Sequence, residues 1–255
     1  MKLRDLSATV VNAALYASLG YLTYLGLFTP VIGVVRFWPS VIVPGFFSVV
    51  YGPMVGGLGA AIGIFISDLA IHGNALLSLA VGVPANFLGF YLMGLLARRR
   101  TGRLHVYGSI AFLALIVVLT SALYGLNIIS DFITVAAFIS ACIVSIVSIA
   151  AVYRFYPELS SYGIASVAGL ALGSGIIGVG VWGFSQFLVL PSGEMNLPIQ
   201  AALIWFIWTF ITEIPFLTVI VPPALKVFFK AYPSLNPFKR KEASKTVPTT
   251  EHLSK

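Results

Sequence analysis

Charge is what this chain has least of. Of its 255 residues, 9% are Asp, Glu, Lys or Arg, while 59% are apolar. A soluble domain carries about 25% charge. So little polar surface cannot coat a water-facing globule, and lipid must solvate much of the exterior. Cysteine is almost absent. Cys142 is the one cysteine and lies inside an apolar run, which excludes a disulfide within the chain. The three histidines, His72, His105 and His252, are far apart and none falls within an apolar run, so no metal site is expected. There is no His-Glu-x-x-His, no aspartate-rich pair for Mg²⁺ and diphosphate, and no Gly-rich Lys-Ser/Thr phosphate loop. Ser174, between Gly173 and Gly175, has no histidine in any apolar run to activate it and reads as part of a packing patch. An enzyme is therefore not expected, and no cofactor is implied.

Apolar runs are what the chain has instead. A membrane span needs about 20 apolar residues. Eight candidates occur: 7–28, a short proline-bearing segment 36–51, then 53–70, 75–97, 106–129, 132–153, 162–190 and 198–229. The first is of spanning length without a convincing cleavage site, and is read as a retained helix. The expected fold is an all-α integral membrane protein, a polytopic bundle of about eight transmembrane helices over residues 1–230. A polar cytoplasmic tail, 231–255, is expected to be disordered.

The net charge is +7. Its placement argues against nucleic acid, because the charges sit in short blocks between apolar runs. With the N-terminus in the cytoplasm and strict alternation, Lys2, Arg4, Arg98, Arg99, Arg100, Arg103, Arg154, Lys226, Lys230, Lys239, Arg240, Lys241, Lys245 and Lys255 all fall inside, and Arg36 alone falls outside. This asymmetry predicts an even number of spans with both termini cytoplasmic.

Small residues recur every four positions: Ala13 and Ala17, Ala14 and Ser18, then Gly52, Gly56 and Ala60, Gly59 and Gly63, and Ala165, Gly169 and Gly173. Such stripes let helix backbones approach closely in lipid, within the chain or against a partner. Polar and aromatic residues gather toward the outer ends. Arg36, Trp38, Asp68, His72, Asn74, Asn86, Asn127, Asp131, Trp182, Gln186, Trp205 and Trp208 are the candidate ligand-binding set. The tryptophans read equally as interfacial anchors, and Arg36 as an ion-pair partner of Asp68. Glu213 stands apart. It lies about 20 Å from either end of its run, where a carboxylate faces a partner, a cavity or a coupling ion. Pro215 follows it and removes a helical donor near Ile211.

The stretch from Arg36 to Ala97 resembles a known family. Arg36-Phe37-Trp38-Pro39, Pro44-Gly45-Phe46-Phe47, Tyr51-Gly52-Pro53-Met54-Val55-Gly56-Gly57, Ser67-Asp68-Leu69 and Pro84-Ala85-Asn86-Phe87-Leu88-Gly89-Phe90 resemble the substrate-specific S-components of energy-coupling-factor (ECF) vitamin transporters. The resemblance implies a membrane subunit that captures a micronutrient from outside, with import driven by a T-component and ATPase subunits. It implies a partner contact at Ala13 and Ala17, and a ligand site drawn from 29–38, 68–74 and the outer halves of later helices. Two features depart from the family. Eight runs exceed its six-helix core, so an extra hairpin is expected. The Met-Lys-Leu start differs from the Met-His of nickel and cobalt members.

The expected function is capture of a vitamin or heterocyclic precursor for ECF-type import at the cell membrane. The alternatives are a stand-alone secondary transporter coupled to protons through Glu213, and a non-catalytic membrane assembly protein.

Overall fold

A computed structural model describes residues 2–27, 31–32, 35–99 and 102–238. The chain is almost wholly helical. Its elements are α1 (Leu3–Tyr24), a two-stranded hairpin of β1 (Val31–Ile32) and β2 (Val35–Arg36), and α2 (Ile42–Val50) entered through a 3₁₀ turn at Pro39–Val41. Then come α3 (Pro53–Ile71), α4 (Ala75–Ala97), α5 (Arg103–Gly125), α6 (Phe132–Phe155), α7 (Ser160–Ser185), α8 (Gln200–Val219) and α9 (Val221–Ala231). Six of these segments are long and apolar enough to cross a membrane: α3, α4, α5, α6, α7 with its lead-in from Pro157, and α8 continued by α9. The protein is a multi-pass membrane protein of the all-α class.

The two remaining runs differ from simple spans. α1 has 22 residues, enough length to cross, but Arg4, Asp5 and Asn12 dilute its apolar character. The second run is helical only from Pro39 to Val50. Pro39 opens this short helix because its fixed φ suits the first turn and its missing N–H is not needed there. The residues before it, Val35–Trp38, are extended and sink into the bundle: Val35 is fully buried and Phe37 nearly so. Non-helical backbone at such depth must be satisfied by protein, and here the Trp38 N–H donates to the Thr212 carbonyl at 3.1 Å. The second run is therefore a broken crossing, extended in one half and helical in the other.

Contacts between named residues set the helix directions. Asn12 lies against Val55, Gly56 and Gly59, Tyr16 against Gly63, and Gly20 against Ser67, so α1 and α3 run in parallel. Gly94 meets Pro53 while Asp68 meets Ser78 and Gly82, so α4 returns antiparallel to α3. The Ser161 hydroxyl donates to the Ala97 carbonyl and Gly173 meets Ala85, so α7 runs back along α4. Phe138 packs on Trp208, and the Ser148 hydroxyl donates to the Thr218 carbonyl, so α6 and α8 run in parallel. The chain alternates throughout. Arg4 and Asp5 lie in the electrostatic neighbourhood of Arg98, and Lys226 sits over the Tyr156 ring, which gathers the basic residues at one end of the bundle. Arg36 is at the other end, where it donates to the Tyr24 carbonyl.

The small-residue stripes act as packing surfaces. A methyl group on Gly56 would lie 2.6 Å from the Ser48 Cα, and one on Gly59 would strike the Asn12 amide. Gly89, Gly169 and Gly173 hold α4 and α7 at similarly close range. Asn12 is fully buried in this seam, and its amide donates to the Val55 carbonyl at 3.0 Å.

Several expected boundaries move. The 162–190 run ends as helix at Ser185, because the following residues fold back over the helix end. The 198–229 run divides at Ile220, where Pro222 and Pro223 start a new helix. Of the tail expected from residue 231, the part up to residue 238 is folded. Ala231 closes α9, Pro233–Leu235 form a 3₁₀ turn, and the Phe238 ring packs edge-on against Phe229. Residues 239–255 lie outside the described residues.

Candidate functional site

The broken crossing, α1 and α4 meet around Tyr16. This tyrosine is 2% exposed, and its hydroxyl donates to Asn86 Oδ1 at 2.9 Å. The Trp38 ring edge reaches Gly20, one turn along α1 from Tyr16. Asn86 Nδ2 donates in turn to the Gly82 carbonyl at 3.0 Å.

Gly82 ends a π-helical turn, Ser78–Gly82, near the start of α4. Such bulges widen a helix by one residue per turn and re-aim its side chains. Here the Asp68 carboxylate lies against Gly82, where a methyl group would come within 2.8 Å of it. The Ser78 hydroxyl donates to Asp68 Oδ2 at 2.6 Å, and His72 Nε2 lies 3.7 Å from Oδ1. His72 Nδ1 accepts the Asn74 N–H at 3.1 Å, which leaves the imidazole proton on Nε2, facing Asp68. The Asn74 side chain caps the first turn of α4 by accepting from the Leu77 N–H. Asp68, His72, Asn74 and Asn86, predicted from sequence, thus form one connected network with Tyr16. Asp68 and His72 are two potential metal donors, and no third His, Cys, Asp or Glu joins them among the described residues.

A narrow pocket of about 20 Å³, room for about one water-sized molecule, opens beside this network, between α4, α7 and α8. Its polar lining is Asn86, Ser174, Thr209 and Glu213, with Gly89 and Gly173 forming the close seam between helices. Ser174 is 1% exposed, and its hydroxyl has no hydrogen-bond partner. Among the described residues, no Lys, Arg or His pairs with Glu213 and no hydrogen bond reaches its carboxyl. Glu213 acts electrostatically on Tyr16, which places the carboxylate near the Tyr16–Asn86 pair. Two residues beyond Glu213, Pro215 removes the donor for the Ile211 carbonyl, and the adjacent Thr212 carbonyl receives the Trp38 N–H.

The far wall of the pocket is capped. Ile177 lines the pocket and also belongs to a small apolar cluster of Val81, Val181 and Leu190 with Leu77 and Leu197. The segment carrying Leu190 and Leu197 is tied down by Gln186, whose Nε2 donates to the Trp182 carbonyl, the Ser185 hydroxyl and the Leu197 carbonyl.

Other predicted site residues do not gather at this pocket. Arg36 does not pair with Asp68. Its guanidinium bonds the Tyr24 carbonyl and lies 5.6 Å from the Tyr24 ring centre, because the hairpin turns it back over the end of α1. Asp131 caps α6, accepting from the Thr134 hydroxyl and from the Thr134 and Ile133 N–H groups. These bonds hold its carboxyl below the usual carboxylate range. Asn127 closes α5 with a positive φ of 56°. Trp208 packs edge-on against Phe138 with ring centres 5.1 Å apart, and Trp205 is 39% exposed on the outside of α8. Trp182 and Gln186 hold the cap rather than line the pocket. Ala13 and Ala17 are 4% and 8% exposed, turned inward within the chain, so the partner contact implied for them has no free surface there. Ala14 and Ser18 lie on the exposed face of the same helix. Ser174, read from sequence as part of a packing patch, is buried beside the α4–α7 seam at the pocket, and its hydroxyl has no hydrogen-bond partner.

Tyr16, Thr209 and Ser174 are the site residues that sequence reasoning passed over. A signal for Tyr16 existed, because it follows Ala13 by three positions on the same small-residue face. Comparison with protein-family models, curated proteins and solved structures gives no match.

Proposed function

We propose that this chain is a solute-capture membrane subunit, similar to an ECF S-component, that binds a small organic micronutrient in the Glu213 pocket. In this reading both termini face the cytoplasm of a cell membrane, and the hairpin end faces outward. The observation that carries it is the pocket itself, a small, partly polar space lined by the Glu213 carboxyl and by a serine hydroxyl left without a protein partner. Buried polar groups are normally satisfied, and a solute is what these two await. The α5–α6 hairpin contributes no residue to the pocket, which suits it to be the addition to a six-helix core. Import then falls to T-component and ATPase partners, whose contact on α1 belongs on the exposed Ala14 and Ser18 face.

A second reading is favoured by Glu213 specifically: a stand-alone secondary transporter that loads a proton on this carboxylate. The two part company in proteoliposomes containing the chain alone. Capture predicts that the solute released from purified protein binds but does not accumulate under an inward proton gradient. Gradient-driven accumulation that is lost in Glu213→Gln would establish the second reading instead.

A further inference from the structure

We infer that α9 and the chain that follows it form a binding site for the headgroup of an anionic phospholipid, with Lys226 and Lys230 as its principal contacts. The site lies away from the Glu213 pocket and does not depend on what that pocket takes.

Length places α9 at the membrane surface. α8 has 20 residues and rises about 30 Å, the thickness of the hydrocarbon core. α9 adds 11 residues beyond it, which reach headgroup level. This helix is two-faced. Val221, Pro222, Leu225 and Phe229 are buried against the bundle, while Lys226 and Lys230, one turn apart, are exposed. Phe228 packs edge-on against Phe46 of α2, with ring centres 5.2 Å apart, which seats the helix. Lys226 Nζ lies 3.9 Å from the centre of the Tyr156 ring, so the last turn of α6, with its exposed Arg154, comes next to α9. Arg154, Lys226 and Lys230 make no ion pair among the described residues. Of the acids at this end, Asp5 is held by Arg4, and Glu158 pairs with none of the three. The sequence continues from Phe238, whose ring rests on Phe229, into Lys239, Arg240 and Lys241. Between Lys226 and Lys245 the chain carries six basic residues against one acid, Glu242. Such a cluster directly beyond a membrane helix attracts anionic lipid. The occupant is a lipid headgroup rather than a soluble anion, because the lysines flank apolar surface: Val227 between them is 71% exposed, and acyl chains can lie against it. The other basic block at this end differs. Arg98 spends its guanidinium on the Val49 and Val50 carbonyls, and the exposed Arg99 and Arg103 serve as the comparison.

The test uses the full chain in phosphatidylcholine nanodiscs. Dioctanoyl phosphatidylglycerol is titrated in, and the unfolding temperature is followed at low and high salt. The wild type is expected to be stabilised saturably, and less so in high salt. Lys226→Gln combined with Lys230→Gln is expected to raise the half-saturating concentration roughly 25-fold, about 5-fold for each lysine. Lys226→Arg combined with Lys230→Arg should keep it near the wild-type value. Both lysines are exposed, and each variant's unfolding temperature before lipid is added shows whether it is folded; if the glutamine pair does not fold, Lys230→Gln alone carries the comparison. Arg99→Gln combined with Arg103→Gln should change the half-point little, and inorganic phosphate should give no rise. Absence of stabilisation in the wild type, an unchanged half-point in the lysine-to-glutamine variant, an equal loss in the Arg99 and Arg103 variant, or a matching rise with inorganic phosphate would each overturn the assignment. The capture reading stands or falls separately, on what the purified protein releases.

Discussion

The main-chain N–H of Trp38 donates to the main-chain carbonyl of Thr212 at 3.1 Å. This bond ties an extended segment, 174 residues earlier in sequence, to the part of α8 that carries Pro215. The broken crossing gains an acceptor at membrane depth from α8, one residue along from the Ile211 carbonyl that Pro215 deprives of its helical donor. Glu213 sits between Thr212 and Pro215, so the same junction positions the pocket carboxylate.

Trp38 should therefore matter to stability and to the site together. Replacing it with Ala removes the ring that packs against Gly20 of α1. The expected loss is about 3 kcal/mol, on the scale of other aromatic truncations. Trp38→Phe should lose less stability. Thermal unfolding in nanodiscs measures both. Equal unfolding temperatures for wild type and Trp38→Ala would contradict this packing.

The glycine seams give a sharper contrast. Gly56→Ala puts a methyl group 2.6 Å from the Ser48 backbone, which cannot yield as a side chain can. It should cost about 1–3 kcal/mol. Gly175→Ala meets nothing within 4 Å and should be neutral or stabilising by up to about 1 kcal/mol, since alanine suits a helix interior better. Paired unfolding curves decide the matter; the opposite ranking would show that the α2–α3 contact is wrong.

The eight apolar runs were legible in sequence because lipid imposes one rule, sustained hydropathy, and every run proves helical at least in part. Charge placement likewise anticipated the alternation now evident from Asn12 with Gly59 and Ser161 with Ala97. What could not be read was which side of each helix turns inward. In lipid both sides are apolar, so Trp205 and Trp208 look alike in sequence although one faces outward and the other packs on Phe138. Ser174 and Tyr16 were hidden for a related reason: their roles arise from neighbours on other helices. Arg36 misled because hairpin geometry, not charge, chose its partner.

Topology can be tested with the natural cysteine in place, because Cys142 is fully buried. A membrane-impermeant maleimide should leave the wild type unlabelled on intact cells. Asn127→Cys should label from outside, and Arg103→Cys only after permeabilisation. The reverse pattern would invert the bundle and move the proposed entry to the cytoplasmic face.

Asp131 predicts an acid dependence. Its bonds to Thr134 and Ile133 lower its pKa in the folded protein. A lowered carboxyl contributes stability above its unfolded value, near pH 4, and loses it as pH falls through the folded value. The unfolding temperature of Asp131→Ala should therefore fall below wild type at neutral pH, with the gap closing as the solution is acidified through the lowered folded value. A gap that stays constant through that range would mean the cap is not what stabilises α6.

The cap over the pocket predicts a kinetic effect. Gln186→Ala removes the bonds that tie Leu197 to the end of α7. Release of bound solute should quicken by several fold while association changes less, as followed by surface-immobilised binding. Unchanged release would show that the 186–198 segment does not close the site.

The central claim is that a solute occupies the Glu213 pocket, and the most direct test is to look for it. Wild-type protein and Ser174→Leu, whose larger side chain fills the pocket, are purified in parallel, denatured, and the released small molecules quantified by mass spectrometry against protein. The account predicts a single compound in near-stoichiometric amount from the wild type and little or none from Ser174→Leu, with both proteins folded before denaturation. The same compound in equal amount from both, or none from either, would contradict it.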